Sequence, residues 1–283
     1  MQISYDVHDW NKGWYQDKAP VRKCARPWKM VHETKSGKAV VCCHGYTGYP
    51  GELVRPGVDL YDAGFDVFAM RYNGHGTSGK DFLSSGREDW LGAARNCLQD
   101  VMKEYETVYL VGHSMGGIIA AILASEFPQV KRMALIAPAF DMKPLQDKKM
   151  MCKLRLCHLF VKRIKVDWKA DPSYHLYDER DKDDDAYLGK EYWSFMYPGK
   201  LWDLYELSLR GKKALKTVQA DTLSISGGED MSVTEHSSEI VAEKPLGKNK
   251  HLHIPAGHHL LPYDKDIGAQ NEAMEAVRDW LLL

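Results

Sequence analysis

The chain contains 283 residues, and its 38 lysines and arginines balance 39 aspartates and glutamates to a formal net charge of -1 at pH 7. This balance argues against a protein that binds nucleic acid through its overall charge. No apolar run approaches the ~18 residues of a membrane span, and the N-terminal sequence lacks the apolar stretch of a signal peptide. The six cysteines show no disulfide spacing. We therefore expect a reduced, cytoplasmic protein without membrane contact.

Short apolar runs alternate with helical patterns along the chain. The runs contain few polar residues, which is typical of parallel strands covered on both faces. They are Lys38–His44, Asp66–Arg71, Thr107–Gly112, Arg132–Ala137, Thr222–Ser226 and Lys250–Ile254. The helical patterns between and after them are Val58–Ala63, Glu88–Glu104, Met115–Phe127 and Asn271–Leu282. Such alternation predicts an α/β fold with a mostly parallel sheet and right-handed crossovers.

A different pattern precedes the first of these runs. The segments Met30–Thr34 and Lys38–Cys43 flank Ser36 and Gly37, a pair that is typical of a hairpin turn. We therefore predict an antiparallel strand at the edge of the sheet, joined to the next strand by this turn.

The strand–helix alternation stops between about Met142 and Val218. We predict an α/β core over residues 1–141 and 219–283, with a mainly helical cap over residues 142–218. The cap sequence contains a basic and apolar part, Lys148–Val166, an acidic run, Asp178–Asp185, and an aromatic part, Tyr187–Tyr205. We interpret the acidic run as a solvated loop.

The basic and apolar part of the cap has near-helical spacing of its apolar residues. We expect one amphipathic helix over Lys148–Val166 that packs on the core. Contact of the same helix with an anionic lipid surface is the alternative.

The residues Gly112-His113-Ser114-Met115-Gly116 fit the pattern G-x-S-x-G between a predicted strand and a predicted helix. This context is the one in which a sharp turn exposes a nucleophilic serine. Side chains at the two glycines would collide with neighbouring backbone. We therefore predict Ser114 as a nucleophile at the N-terminus of a helix.

A serine hydroxyl is a weak nucleophile and needs a base that is oriented by an acid. Asp230 and His258 follow two later predicted strands, in the order expected after such a serine. We favour Asp230 over Glu229 as the acid, and His258 over His259 as the base, because Gly257 gives His258 a flexible approach. No cysteine or acid nearby in the sequence completes a metal site with these histidines, so we expect none.

An acyl-transfer site also needs two donors for the developing oxyanion. One is expected from the backbone N–H of Met115, the residue after the nucleophile. The loop His44-Gly45-Tyr46-Thr47-Gly48 follows an early strand, and the backbone N–H of Tyr46 is our second candidate.

These motifs together resemble the α/β-hydrolase superfamily, and their order is most similar to its carboxylesterase and monoacylglycerol-lipase branch. The resemblance covers about Lys38–Pro138 and Asp221–Leu283, while the insertion resembles the family's cap only in position. It implies an α/β-hydrolase fold with Ser114, Asp230 and His258 as a triad and Tyr46 and Met115 as oxyanion donors. The motifs that carry it are His44–Gly48, Arg71–Gly76, Gly112–Gly117, Gly228–Asp230 and Gly257-His258.

We therefore expect a serine hydrolase that cleaves carboxylic esters through an acyl-enzyme, without a metal or cofactor. The aromatic part of the cap predicts small to medium apolar acyl groups as substrates. A serine aminopeptidase or thioesterase on the same triad stays open, as does a non-catalytic binding protein on this fold.

Overall fold

A seven-stranded sheet forms the centre of the computed structural model, which describes residues 19–143, 147–169 and 187–283. The acidic run Asp178–Asp185 lies outside the described residues. The strands of this sheet and of a small second sheet are β1 (Trp28–Met30), β2 (Lys38–Cys43), β3 (Asp66–Ala69), β4 (Thr107–His113), β5 (Arg132–Ile136), β6 (Ile164–Lys165), β7 (Phe195–Met196), β8 (Asp221–Gly227) and β9 (Asn249–Ile254).

Helices cover both faces of the central sheet. The longer ones are α1 (Val54–Asp62), α2 (Gly79–Ser84), α3 (Arg87–Glu104), α4 (Met115–Glu126), α5 (Lys148–Cys157), α6 (Pro198–Ala214), α7 (Glu235–Glu243) and α8 (Ile267–Leu282). Short helical turns lie at Lys23–Ala25, Pro50–Leu53, Gly189–Trp193, Leu215–Thr217 and Leu261–Tyr263.

The central sheet has the strand order β1-β3-β2-β4-β5-β8-β9. Every neighbouring pair is parallel except β1 with β3. The carboxyl ends of β2, β4, β8 and β9 therefore lie at one edge, which is where sites form in open α/β sheets. This arrangement confirms the six predicted strands and the predicted α/β-hydrolase fold.

The predicted hairpin is wrong. β1 is an antiparallel edge strand, but it pairs with β3, with Met30 opposite Val67, and not with β2. The connection from β1 to β2 passes the start of β3. There the buried Asp66 accepts the backbone N–H groups of His32 at 2.9 Å and Ser36 at 3.2 Å. A carboxylate at this point can hold a connection that is too long for a tight turn.

The sheet separates two parts of the hydrophobic core. One part contains residues of α3, α4 and α6, including Leu98, Ile119 and Leu207. The other contains residues of α1 and α8, including Leu60 and Met274. Two-sided coverage explains why the central strands are nearly continuous apolar runs.

Helix α6 lies in the second half of the predicted cap and packs directly on α4 of the sheet layer. At Gly211 of α6 the approach is close, since an added Cβ would lie 2.6 Å from Ile118 Cγ2 and 2.8 Å from Phe140 Cε1. Between β5 and β8 the described residues include α5, α6 and the two-stranded sheet of β6 and β7. The division into core and cap stays a prediction.

The predicted amphipathic helix is shorter than expected. It ends at Cys157, and the chain then turns and enters β6. Met151 and Leu154 are buried, whereas Leu156, Leu159 and Phe160 are exposed, Phe160 to 87%. Packing against α6 therefore uses one narrow side of α5. Within the described ranges, no helix combines the length and apolarity needed to cross a bilayer.

Replacing Asp66 tests how the edge of the sheet is held. Burial by itself raises the pKa of Asp66. The hydrogen bonds from His32 and Ser36 lower this pKa by a larger amount, so the net shift is downward. We expect Asp66→Asn to lower the free energy of unfolding by about 1–3 kcal/mol in urea denaturation at neutral pH. Because the native pKa is depressed, this difference should shrink as the pH falls through the native pKa.

The exposed Asp62, at the end of α1, provides the matched control. Asp62→Asn should stay within about 0.5 kcal/mol of the wild type. An Asp66→Asn protein that is as stable as the wild type would contradict the role given to this carboxylate.

Candidate active site

The turn between β4 and α4 holds Ser114 in an unusual backbone conformation. Its φ is 55° and its ψ is -117°, which is rare for a residue with a side chain. The Ser114 N–H donates to the carbonyl of Ile136 at 2.9 Å, and the Ser114 carbonyl accepts the N–H groups of Gly117 and Ala139. These bonds hold the turn in place, as expected for strained backbone at a functional site.

The two glycines of the motif allow the helix to approach the sheet. A Cβ on Gly112 would collide with the carbonyl of Gly116, and a Cβ on Gly116 would collide with the carbonyl of Cys43 in β2. Only glycine fits such contacts with backbone. The structure thus agrees with the steric reason for both glycines.

The side chain that contacts Ser114 is His259. Its Nε2 lies 3.0 Å from Ser114 Oγ, and its Nδ1 lies 2.8 Å from Asp230 Oδ2. Asp230 is placed as the sequence predicts, whereas the neighbouring Glu229 is exposed. The predicted base, His258, is wrong by one residue in this structure.

A second carboxylate explains the different position of His258. Its backbone N–H donates to Asp264 Oδ2 at 2.6 Å, and its Nδ1 lies 2.9 Å from Asp264 Oδ1. Asp264 is fully buried and also accepts the N–H of Asp266. After Gly257 the chain therefore directs His258 to Asp264, and His259 is the residue that reaches Ser114.

The loops after β8 and β9 are bonded to each other. The N–H of Glu229 donates to the carbonyl of Gly257 at 2.9 Å, and the N–H of Gly228 donates to the carbonyl of Ile254 at 2.9 Å. These contacts place Asp230 beside His259. Local backbone geometry, and not the identity of either histidine, decides which imidazole faces Ser114.

Asp230 is prepared to be an anion. Its side chain is 4% exposed, and its Oδ1 accepts the N–H groups of Ser232 at 2.7 Å and Val233 at 2.8 Å. Burial by itself raises the pKa of this carboxyl. The hydrogen bond and charge of His259, together with these two N–H groups, lower the pKa by a larger amount. The net shift is downward, so Asp230 is ionised at neutral pH and accepts the Nδ1–H of His259.

The two predicted oxyanion donors lie beside Ser114. Met115 is the first residue of α4, and the first N–H groups of a helix have no partner within the helix. Tyr46 and Ser114 line the same cavity. A Cβ built on the preceding Gly45 would lie 3.4 Å from Ser114 Cβ, so this loop approaches the turn closely. Their function as donors stays a prediction.

Two buried side chains at the site were given no role by the sequence. Glu52 lies in the turn Pro50–Leu53, and His113 is the last residue of β4. Their side chains meet at 3.1 Å between His113 Nδ1 and Glu52 Oε1, and both are at most 3% exposed. Glu52 lies in the apolar context Pro-Gly-Glu-Leu-Val, and an acid among residues of a buried turn is the signal that could have identified it.

Two histidines of β9 form a separate cluster. His251 and His253 both contact Ser226 Oγ, at 2.8 and 3.0 Å. The fold adds Glu235 from α7, and one ligand atom from each of the three residues lies within 4.8 Å of the others. Because Ser226 already bonds both imidazoles, the cluster is satisfied by hydrogen bonds of the chain itself.

A cavity of about 650 Å³ opens above Ser114 and His259. This volume is in the range of pockets that enclose small organic ligands. Much of its wall comes from the segment between β5 and β8, as predicted for the aromatic part of that segment. The apolar wall residues from this segment are Met142, Trp168, Tyr192, Trp193, Phe195, Met196, Tyr197, Leu201 and Leu204.

The strand order and the sharp serine turn define an α/β-hydrolase. A family model described as serine aminopeptidase, S33, matches residues 34–266. The chain therefore belongs to this family.

Curated relatives match part of the chain. A thermostable monoacylglycerol lipase of Bacillus sp. (strain H-257) is 31% identical over 103 residues, which is 36% of this chain and 41% of that protein. A carboxylesterase of Bacillus subtilis (strain 168) is 29% identical over 102 residues, or 36% of this chain and 42% of that protein. The chain thus covers about two fifths of the length of these relatives.

Solved structures show the same fold at low identity. The structure described with the metagenome-derived lipolytic enzymes LipS and LipT has a TM-score of 0.73, with 20% identity, over 92% of this chain and all of that one. A monoglyceride lipase variant from Saccharomyces cerevisiae has a TM-score of 0.71, with 17% identity, over 94% of this chain and 92% of that one.

The two adjacent histidines can be separated by substitution. We expect His259→Ala to lower hydrolytic turnover by about 10⁴-fold, because the Ser114 hydroxyl loses the group placed to accept its proton. His258→Ala should retain activity within about tenfold and lower the melting temperature, since it leaves buried Asp264 without its imidazole. Steady-state kinetics and thermal melts of both variants measure this difference. If His258→Ala is the inactive protein, the assignment is reversed.

Proposed function

We propose that this protein is a serine carboxylester hydrolase. The observation that carries the proposal is the hydrogen-bond chain from Asp230 through His259 to Ser114 Oγ, with distances of 2.8 and 3.0 Å. This geometry fulfils the requirement for a nucleophile, a base and a group that orients the base. The lipase and carboxylesterase names of the Bacillus relatives support an ester substrate.

In the first half of the reaction, Asp230 accepts the Nδ1–H of His259, so the Nε2 lone pair faces Ser114. His259 takes the Ser114 proton as Oγ attacks the ester carbonyl, and Asp230 stabilises the imidazolium that forms. The tetrahedral intermediate collapses to an acyl-enzyme when His259 protonates the leaving alcohol. In the second half, His259 deprotonates water as its oxygen attacks the acyl group. The second tetrahedral intermediate then collapses, the bond to Ser114 Oγ breaks, and His259 returns the proton to Oγ as the acid is released.

The negative charge of both tetrahedral intermediates needs donors that are already in place. We assign this function to the backbone N–H groups of Tyr46 and Met115. The position of Met115 at the start of α4 adds the positive end of the helix dipole. Removal of one such donor typically costs about 10²–10³ in turnover in related chemistry.

The cavity favours an ester over a peptide with a free amino terminus. An aminopeptidase needs a carboxylate to hold the α-ammonium group of its substrate. Among the described residues of the cavity wall, Glu52 is the one acidic side chain, and it already contacts His113 and the Gly45 N–H. The aminopeptidase alternative rests on the description of the family model.

A panel of p-nitrophenyl esters, acyl thioesters and aminoacyl p-nitroanilides tests the proposed function. We expect esters to be the preferred class and Ser114→Ala to lower ester turnover by about 10⁴-fold or more while the protein stays folded. Circular dichroism of the variant checks the fold. Ordinary ester turnover by pure Ser114→Ala, or a preference for the anilides, would overturn the proposal.

The aromatic wall predicts a limit to acyl length. Each buried CH₂ adds about 0.8 kcal/mol to binding, until the chain reaches the wall. We therefore expect kcat/KM to rise from acetate to about butyrate–octanoate and then to fall. The measurement is kcat/KM across p-nitrophenyl esters from acetate to palmitate. A profile that still rises at palmitate would indicate an open groove.

Trp193 and Trp202 offer a matched pair for locating this limit. Trp193 lines the cavity, and its Nε1–H donates to the carbonyl of Thr47 at 3.2 Å. The Trp202 ring lies 5.4 Å from the Tyr205 ring, tilted by 41°, and Trp202 is not among the residues that line the cavity. Trp193→Ala should move the optimum to longer acyl chains, whereas Trp202→Ala should leave the optimum where it is.

A further inference from the structure

We propose that Glu52 and His113 act as a buried positioning pair that joins the three loops of the catalytic site, with His113 held as an imidazolium. This inference rests on the proposed ester hydrolase function. It gives a role to the acid and the imidazole that lie beneath Ser114 and that the reaction steps themselves do not use.

Glu52 connects the oxyanion loop to the serine turn. Its side chain is 3% exposed, and its Oε1 accepts the backbone N–H of Gly45, the residue before the donor Tyr46. The same oxygen lies 3.1 Å from His113 Nδ1. His113 directly precedes Ser114, so one carboxylate oxygen contacts the segments that carry both the oxyanion donor and the nucleophile.

His113 extends the connection to the base. Its Nε2 lies 2.9 Å from the backbone carbonyl of His259, and the two imidazole rings are 5.2 Å apart. The carbonyl belongs to the residue whose ring contacts Ser114. The pair therefore holds the backbone of the base from below, while Asp230 holds its ring.

The protonation state of His113 follows from its partners. A backbone carbonyl can only accept a hydrogen bond, so Nε2 carries a proton. Glu52 Oε1 also accepts the Gly45 N–H, and the oxygens of an ionised carboxylate can only accept, so His113 donates from Nδ1 to the Glu52 carboxylate as well. An imidazole with both nitrogens protonated is a cation, and the Glu52 carboxylate is its counter-charge.

The surrounding charges agree with this state. Burial lowers the pKa of His113, but the charge and hydrogen bond of Glu52, the carbonyl of His259 and the charge of Asp230 raise it, and the net shift is upward. The groups facing His113 are Glu52, Asp230, His259 and the buried His44, whose own pKa is lowered mainly by burial and also by His113. Because the native pKa is raised, the cation persists as the pH increases and is lost only above that raised value.

Glu52→Gln removes the charge and keeps the size of the side chain. Without its counter-charge, His113 becomes neutral at a lower pH and can then donate only one hydrogen bond. His113 then loses its hydrogen bond either to residue 52, which holds the oxyanion loop, or to the His259 carbonyl. A small displacement of catalytic groups can cost about 10²-fold in rate. We expect kcat to fall by about 10–100-fold with KM changed by less than about twofold.

The pH dependence separates this role from simple loosening of the structure. At low pH His113 is protonated in both proteins, so their kcat values should be closest there. The wild-type to Glu52→Gln ratio of kcat should grow between about pH 6 and 9, the range in which histidines change charge. Loosening alone would give a constant ratio.

The exposed pair of His236 and Glu239, whose Nδ1 and Oε2 are 3.0 Å apart on α7, provides a matched control. Glu239→Gln should leave kcat and the ratio unchanged. Glu52→Asp keeps the carboxylate, but its shorter side chain moves the charge away from His113. We expect kcat to fall while the wild-type to Glu52→Asp ratio of kcat stays constant with pH. If Glu52→Gln does not fold, the protonation state of His113 in the wild-type protein tests the proposal instead.

A spectroscopic measurement completes the experiment independently of activity. In ¹⁵N-histidine NMR of the wild-type protein at neutral pH, His113 should show two protonated ring nitrogens, and Glu52→Gln should lose one of them. A neutral His113 in the wild type, or a folded Glu52→Gln with wild-type kcat and a constant ratio, would overturn the proposal. Failure of the ester hydrolase function would instead appear as ester turnover that survives Ser114→Ala, and the NMR result would be unaffected.

Discussion

The close approach of α4 to the backbone of β2 is the contact on which the rest of the site depends. It is possible because Gly116 has no side chain to separate the helix from the carbonyl of Cys43. The approach leaves one residue, Ser114, to make the change from strand to helix with a positive φ. A serine in this conformation projects its hydroxyl away from the sheet and places the first N–H groups of α4 beside it.

Parallel strand order then brings the other groups to that hydroxyl. β8 and β9 pair in parallel, with Gly227 opposite Ile254, so the residues that follow them leave the sheet at the same edge. The acid and the base come from two loops that are hydrogen-bonded to each other, through the Glu229 N–H and the Gly257 carbonyl. Precision at the site thus comes from backbone contacts between loops as much as from the side chains.

The sequence predicts most of the fold because burial on both faces of a parallel sheet leaves a clear apolar pattern. It also predicts Ser114 and Asp230 as site residues, since each follows such a strand within a few residues, and the structure connects them through His259. It does not distinguish His258 from His259, because the answer depends on Asp264, a carboxylate whose contact with His258 exists only in the folded loop. Glu52 was missed for a similar reason, since its partners Gly45 and His113 lie on other segments.

The contact of α6 with α4 has a consequence for how the molecule unfolds. A hinged lid would share few contacts with the domain it covers, and it could open or melt by itself. Here Gly211 brings the backbone of α6 against Ile118 of the helix that begins at the serine turn, and Leu207 belongs to the same core as Ile119. Melting of α6 would expose that face of α4 to water, so both helices form one cooperative unit. For the proposed ester substrate, entry to the cavity then depends on shorter segments of its wall, such as β7, while α6 stays in place.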